Sequence, residues 1–195
     1  MKYNTPDDEN QILPNLLDLK SQKEIGLSEF EGFVTAEILL AESLSAGTKF
    51  NIEYILKIHH YALKHLYSFA GKYREVNISK GGFAFPAARF LPQSMKHFES
   101  DILSKLPKRY SDQESLIKDV AKVHAELLFI HPFREGNGRT ARILANQMLR
   151  KAGYASLKFE LIENEKRDFY IFCVQAAANQ DYTGMESLIR SIFPD

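Results

Sequence analysis

Between His131 and Arg142 the chain reads H-P-F-R-E-G-N-G-R-T-A-R, placing a histidine, a carboxylate, a glycine-flanked asparagine and two arginines in one short stretch. Each group has a physical use. His131 is the one side chain there whose ordinary pKa suits taking up a proton near neutrality. Glu135 is a hard oxygen ligand of the kind Mg²⁺ accepts when it shares the ion with substrate phosphates. Gly136, Asn137 and Gly138 let the backbone curl so that several N–H groups point one way, an anion-binding nest. A helix opening near Arg139 would aim its positive end over those glycines, which again favours phosphate. Arg139 and Arg142 share one face of that helix and can clamp outer phosphates. The kit suits a metal-bound polyphosphate with a proton acceptor beside it. A mere helix-capping turn, with Asn137 as N-cap, would explain the asparagine and glycines. It would leave His131, Glu135, Arg139 and Arg142 as coincidences.

The elements that must hold these groups read as helices. Val120, Val123, Leu127 and Leu128 mark an amphipathic helix over Leu116 to Ile130 that delivers His131 at its end. Pro132 disfavours helical φ/ψ at His131, so the helix stops there, and Phe133 serves as an apolar peg for the turn. Ile143, Leu144, Met148 and Leu149 mark the next helix, from Arg139 to Arg150. Earlier, Phe30, Phe33, Val34, Ile38 and Leu39 form a helical stripe within Leu27 to Glu42. Ile55, Ile58, Ala62 and Leu66 form another within Ile52 to Leu66. Helices over Gln93 to Leu106, Asp168 to Ala178 and Met185 to Ile192 complete the pattern. Val76 to Ser79 and Phe83 to Phe85 read as short extended pieces joined by a Gly81-Gly82 turn. The fold class expected is therefore all-α, with one small hairpin.

Composition sets bounds. The 195 residues carry 45% hydrophobic and 26% charged side chains and a net charge of zero. A basic face for nucleic acid or membrane is not expected, and Arg139, Arg142 and Arg150 read instead as a local patch for one ligand. The single Cys173 excludes an internal disulfide and fits a reducing compartment. The opening MKYNTPDDEN has no apolar core of a signal peptide, so a cytoplasmic chain is expected. His59, His60, His65 and His97 read as surface or capping residues. A zinc site from His124, His131 and Glu135 is disfavoured, because Pro132 breaks the helix between them. With no repeat or linker, residues 12–195 read as one domain behind a flexible 1–11 segment.

The stretch His131 to Arg142 resembles the signature of the Fic family, H-x-F-x-[D/E]-G-N-G-R-x-x-R, at every specified position. Gly71 to Pro92, GKYREVNISKGGFAFPAARFLP, looks like that family's β-hairpin flap, and Ala178 to Tyr182 like its adenine-side segment. The resemblance spans roughly residues 12 to 192 in order. It implies a Fic fold, a bundle of about seven or eight helices with the flap over the site. It also implies a protein adenylyltransferase, which moves AMP from Mg²⁺-ATP to a Tyr, Thr or Ser hydroxyl of a target protein. In that reading His131 is the general base and Glu135 the metal ligand. Arg139 stabilises phosphate charge, and Gly136, Asn137, Gly138, Arg139, Arg142 and Asn179 bind the nucleotide. Ile78, Lys80, Gly81, Gly82 and Phe83 in the flap dock the target by strand pairing. The related death-on-curing branch has lysine where Gly138 stands, which separates this chain from that kinase-like variant.

The family's inhibitory pattern, [S/T]-x-x-x-E-[G/N], has one formal match at Thr5 to Asn10, in a stretch that reads more easily as a polar terminus. The resemblance then implies an antitoxin-like inhibitor in trans, as in toxin–antitoxin pairs, or control by homo-oligomerisation. Two other classes remain open at this point. One is a transferase of a phosphoryl or phosphocholine group; the other is a nucleotide- or peptide-binding module without catalysis, which would need neither His131 nor Glu135.

Overall fold

The computed structural model describes residues 12–162 and 166–194. The 1–11 segment, with its Thr5 to Asn10 match, lies outside the described residues. Among them are seven α-helices and one two-stranded antiparallel sheet. The helices are α1 (Gln22–Glu42), α2 (Ile52–Leu63), α3 (Leu91–Asp101), α4 (Gln113–Ile130), α5 (Asn137–Lys151), α6 (Arg167–Ala176) and α7 (Thr183–Ser191). Between α2 and α3 lies the hairpin, β1 (Ser79–Lys80) and β2 (Phe83–Ala84). The fold is the all-α one expected.

Local chemistry fixes where helices start. Ser21, Asn51 and Asp112 each accept a hydrogen bond from a backbone N–H three residues on, capping α1, α2 and α4; such caps stabilise by roughly 1 kcal/mol each. Pro92 sits in the first turn of α3, where no N–H is missed.

α4 and α5 form the centre. Leu116, Val120, Val123, Leu127 and Leu128 of α4, and Ile143, Leu144, Met148 and Leu149 of α5, are all buried, as their spacing requires. α1 and α2 pack on α5, while α6 and α7 pack on α4. The junction between α4 and α5 is thus held from two sides, a rigid seat for side chains that must not move.

α1 departs from the expectation. Of its predicted core stripe only Phe33 is buried; Phe30, Val34, Ile38 and Leu39 are exposed. The buried side is Ile25, Glu29, Gly32, Phe33, Ala36 and Leu40. Close approach to α2 explains the choice, because a Cβ at Gly32 would lie 2.0 Å from the Ala62 carbonyl oxygen. Only the face bearing that glycine can meet α2. Arg150 also leaves the patch expected for it. It pairs with Glu37 and Ser156 near the C-terminal end of α5, about 16 Å of helix from Arg139 at 1.5 Å per residue.

Candidate active site

α4 ends in an abrupt turn. His131 adopts a left-handed conformation (φ 52°, ψ 59°), with its N–H bonded to the Leu127 carbonyl. A β-carbon residue rarely takes this conformation; here Pro132 bars continuation of the helix. Phe133 is completely buried and stacks on His59 with ring centroids 3.8 Å apart. Gly136, at φ 77°, then opens α5. A Cβ there would meet the Phe33 ring at 2.9 Å, so glycine is required by both conformation and space.

Asn137 is the brace of this turn. Its Oδ1 accepts from the Phe133 N–H and its Nδ2 donates to the Phe133 carbonyl, both at 2.8 Å. Expected among the phosphate-binding groups, it has both side-chain ends committed to the loop, so its offer to an anion is the backbone N–H. Thr140 N–H makes the first α-helical bond back to Gly136, so the amides of Asn137, Gly138 and Arg139 are orphan donors at the positive end of a 15-residue helix. Among the described residues nothing lies within 4 Å of a Cβ placed on Gly138, so that side of the first turn is uncovered.

His131 is partly buried beside this helix end. Its Nδ1 sits 3.0 Å from the Leu128 carbonyl; a carbonyl only accepts, so Nδ1 carries the proton and Nε2 holds the lone pair. Burial, then the positive charges of Arg74 and Lys80, pull its pKa down from 6.5 to about 4. The ring is therefore neutral at pH 7 and able to accept a proton.

The two arginines differ in surroundings. Arg139 reaches Glu29 at 2.6 Å and Glu135 at 3.1 Å, and lies over the Phe33 ring at 4.6 Å. Arg142 lies over Phe159 at 5.2 Å and beside the Tyr170 hydroxyl. That hydroxyl donates to His124 Nε2 at 2.7 Å, and His124 Nδ1 donates to the Ala141 carbonyl. Among the described residues no carboxylate pairs with Arg142.

Glu135 keeps 44% of its side chain exposed, with Oε1 accepting from Arg139 and from the Gly136 N–H. No cluster of three or more His, Cys, Asp or Glu able to hold a metal occurs among the described residues. One exposed carboxylate fits a Mg²⁺ whose remaining ligands come from substrate phosphates and water. His124, part of the disfavoured zinc alternative, is a buried core residue with both ring nitrogens engaged.

The hairpin reaches this same corner. Gly81 and Gly82, both at positive φ, make the turn, Ser79 pairs with Ala84 and Lys80 with Phe83. Ile78 extends the pairing through its carbonyl, which accepts from Phe85 N–H. Phe83 packs on Phe85 and Phe129, and Phe85 stacks on His131 at 3.9 Å. The extended pieces are shorter than their sequence suggested, but the predicted turn stands and the flap lies against His131.

The Fic/DOC family profile matches residues 49–149, just over half of the chain. The chain belongs to the Fic/DOC family. It is 31% identical over 166 residues to the protein adenylyltransferase Fic of Nematostella vectensis, covering 84% of this chain and 36% of that relative. With the protein adenylyltransferase VbhT of Bartonella schoenbuchensis it shares 26% identity over 186 residues, 95% of this chain and 37% of the other. The chain thus spans little more than a third of these curated relatives. Its fold matches the crystal structure of BepC, a VirB-translocated effector of Bartonella tribocorum with bound AMPPNP. The TM-score is 0.79 at 19% identity, over 95% of this chain and 94% of that one.

Seen as a Fic domain, the molecule gathers His131, Glu135, Gly136, Asn137, Gly138, Arg139 and Arg142 at one junction, with flap residues Ile78 to Phe83 next to it. Asn179 stands apart, exposed after α6 on a short 3₁₀ turn, its side chain making no hydrogen bond among the described residues. Four supporting residues escaped the sequence reading. Arg74 is buried and donates to the carbonyls of His131, Val76 and Pro86, tying the segments on both sides of the hairpin to the His131 turn. His59, expected at the surface, is fully buried and joins the Gly71 N–H to the Glu135 carbonyl. Glu29 holds Arg139, and Tyr170 lies beside Arg142. A charged or polar residue on a helix's apolar face is the only sequence signal Glu29 offered.

Proposed function

We propose that this chain is a protein adenylyltransferase that moves AMP from ATP onto a hydroxyl side chain of a target protein held along the flap. The observation that carries this reading is the neutral His131, with Nδ1 committed as a donor and Nε2 left as a lone pair, next to the orphan amides at the start of α5. The names of the relatives and the AMPPNP bound by BepC support it.

ATP phosphates settle against the Asn137 to Arg139 amides, drawn by the helix end and by Arg142. A target hydroxyl, positioned by strand pairing with β1, gives its proton to His131 Nε2 as its oxygen attacks the α-phosphorus. The bond from the α-phosphorus to the bridging oxygen breaks, and pyrophosphate leaves with that oxygen. Mg²⁺, held through Glu135, would neutralise phosphate charge when bound. Arg139 meets the charge that grows on the departing phosphates, and Asn137 and Arg74 keep the turn and flap in place. Positioning and electrostatics supply the rate gain. Asn179 stands for the adenine side. The reading also includes a cytoplasmic setting and control by an antitoxin-like protein or self-association.

Incubation with Mg²⁺ and α- or γ-labelled ATP, with a lysate as bait, tests the function. Label should be retained from the α position alone, and His131→Ala should abolish it while ATP still binds. Retention of γ-label instead would establish phosphoryl transfer and refute the reading. Loss of ATP binding in His131→Ala would remove support for the proton-acceptor role.

A further inference from the structure

We propose that Glu29 of α1 is a positioning residue for the transfer, holding the Arg139 guanidinium in the attitude in which it meets the phosphates. The inference rests on the adenylyl-transfer reading and extends it to a helix outside the H-x-F-x-[D/E]-G-N-G-R-x-x-R signature.

Glu29 is the one charged residue on the buried side of α1, among Ile25, Gly32, Phe33, Ala36 and Leu40, and is 7% exposed. A carboxylate in such a place is costly unless both oxygens are satisfied. Both are: Oε1 accepts from the Tyr67 hydroxyl at 2.7 Å and Oε2 from Arg139 Nη2 at 2.6 Å. Tyr67 is itself buried, so it pins the carboxylate rather than following it. Phe33, one turn along α1, lies against the face of the same guanidinium. α1 therefore holds Arg139 at one corner and on one face.

The second carboxylate on Arg139 behaves differently. Glu135 keeps 44% of its side chain exposed, so it can exchange Arg139 for another cation, whereas Glu29, at 9%, is enclosed. Both carboxylates bond the same nitrogen, Nη2, so among the described residues neither Nη1 nor Nε meets a carboxylate. Those two donors, on different sides of the fork, are left for phosphate oxygens. Because a guanidinium is planar and its donors are fixed, rotating it would misalign every bond it makes. A fixed carboxylate is the simplest way to prevent that rotation throughout turnover.

The experiment compares the 195-residue chain with Glu29→Ala, Glu29→Gln, Arg139→Ala and the Glu29→Ala/Arg139→Ala double variant. AMP transfer is followed with ATP titrated, accumulating label long enough to read residual rates, and thermal unfolding is measured for each protein. Glu29→Ala should lower kcat about 10- to 100-fold, the size of effect expected from misplacing a reacting group, with KM for ATP shifted less than about threefold. Glu29→Gln, able to keep both contacts, should recover most of the loss. In the Arg139→Ala background, Glu29→Ala should lower kcat no further. An equal fold loss in both backgrounds, or a loss that tracks unfolding temperature, overturns the inference by leaving Glu29 a structural role only. If Glu29→Ala fails to fold, Tyr67→Phe unpins the carboxylate and is held to the same split and the same background test. An active wild type with unchanged Glu29→Ala kinetics overturns the inference alone; an inert wild type overturns the transferase reading and the inference together.

Discussion

Arg139 lies between two carboxylates, Glu29 at 2.6 Å and Glu135 at 3.1 Å, whereas Arg142, a helical turn further along α5, meets the Tyr170 hydroxyl and the face of Phe159. The first arginine has its charge balanced before any ligand arrives. What it offers is a fixed fork. The second, among the described residues, meets only neutral groups, with Tyr170 joined through His124 to the Ala141 carbonyl, and no carboxylate there balances its charge. What it offers is attraction. Two identical side chains thus take different work from their neighbours, one supplying geometry and the other field.

Lysine substitutions separate the two. Arg139→Lys keeps the charge but loses the planar fork and its stacking on Phe33, and should lower kcat by about 10- to 100-fold. Arg142→Lys should cost only a few-fold in ATP affinity, while Arg142→Ala should weaken ATP binding by about 10- to 100-fold, the worth of hydrogen bonds to a charged group. ATP binding by Arg142→Ala should also vary less with salt. Turnover and calorimetric titration read these outcomes. Equal responses of the two lysine variants would break the comparison.

A smaller effect tests the relay under Arg142. Tyr170→Phe removes the hydroxyl that bonds His124 and lies beside Arg142, and it strands the buried His124 Nε2. Unfolding should become easier by about 1–3 kcal/mol, the cost of an unsatisfied buried group, with ATP affinity falling a few-fold. A Tyr170→Phe protein as stable as wild type, with unaltered ATP binding, would mean the relay does not hold Arg142.

These contrasts also mark the boundary of what could be read from the sequence. The motif and all seven helices were legible, because residues that act together in the turn are neighbours in the chain and apolar stripes repeat at the helical period. The supports were not. Arg74 meets His131 across 57 positions, Glu29 meets Arg139 across 110 and Tyr170 meets His124 across 46. No local pattern encodes such pairings. α1 misled for another reason: its apolar and polar residues are both spread around the axis, so periodicity alone cannot tell which face turns inward. The face that does is lined by a glycine, an alanine and a glutamate, residues that a search for bulky apolar side chains passes over.

Acidity provides the mildest probe near neutrality, and it tests the two corners side by side. His59, beneath the Glu135 carbonyl, His124, beneath Arg142, and His131 are each held near pKa 4, chiefly by burial. In the unfolded chain each would titrate near 6.5. Between those values the unfolded chain binds more protons, so stability is complete above pH 6.5 and is lost as pH falls toward 4. The urea midpoint should therefore drop from pH 7.5 to pH 5.5. His124→Gln and His59→Gln should each flatten that dependence, whatever they cost at pH 7.5. Over that window the flattening should be nearly equal for the two, because both rings stay neutral in the fold and only the unfolded chain takes up the proton. Unequal flattening would show that one of the two rings, the one near Arg139 or the one near Arg142, gains its proton in the fold well above pH 4.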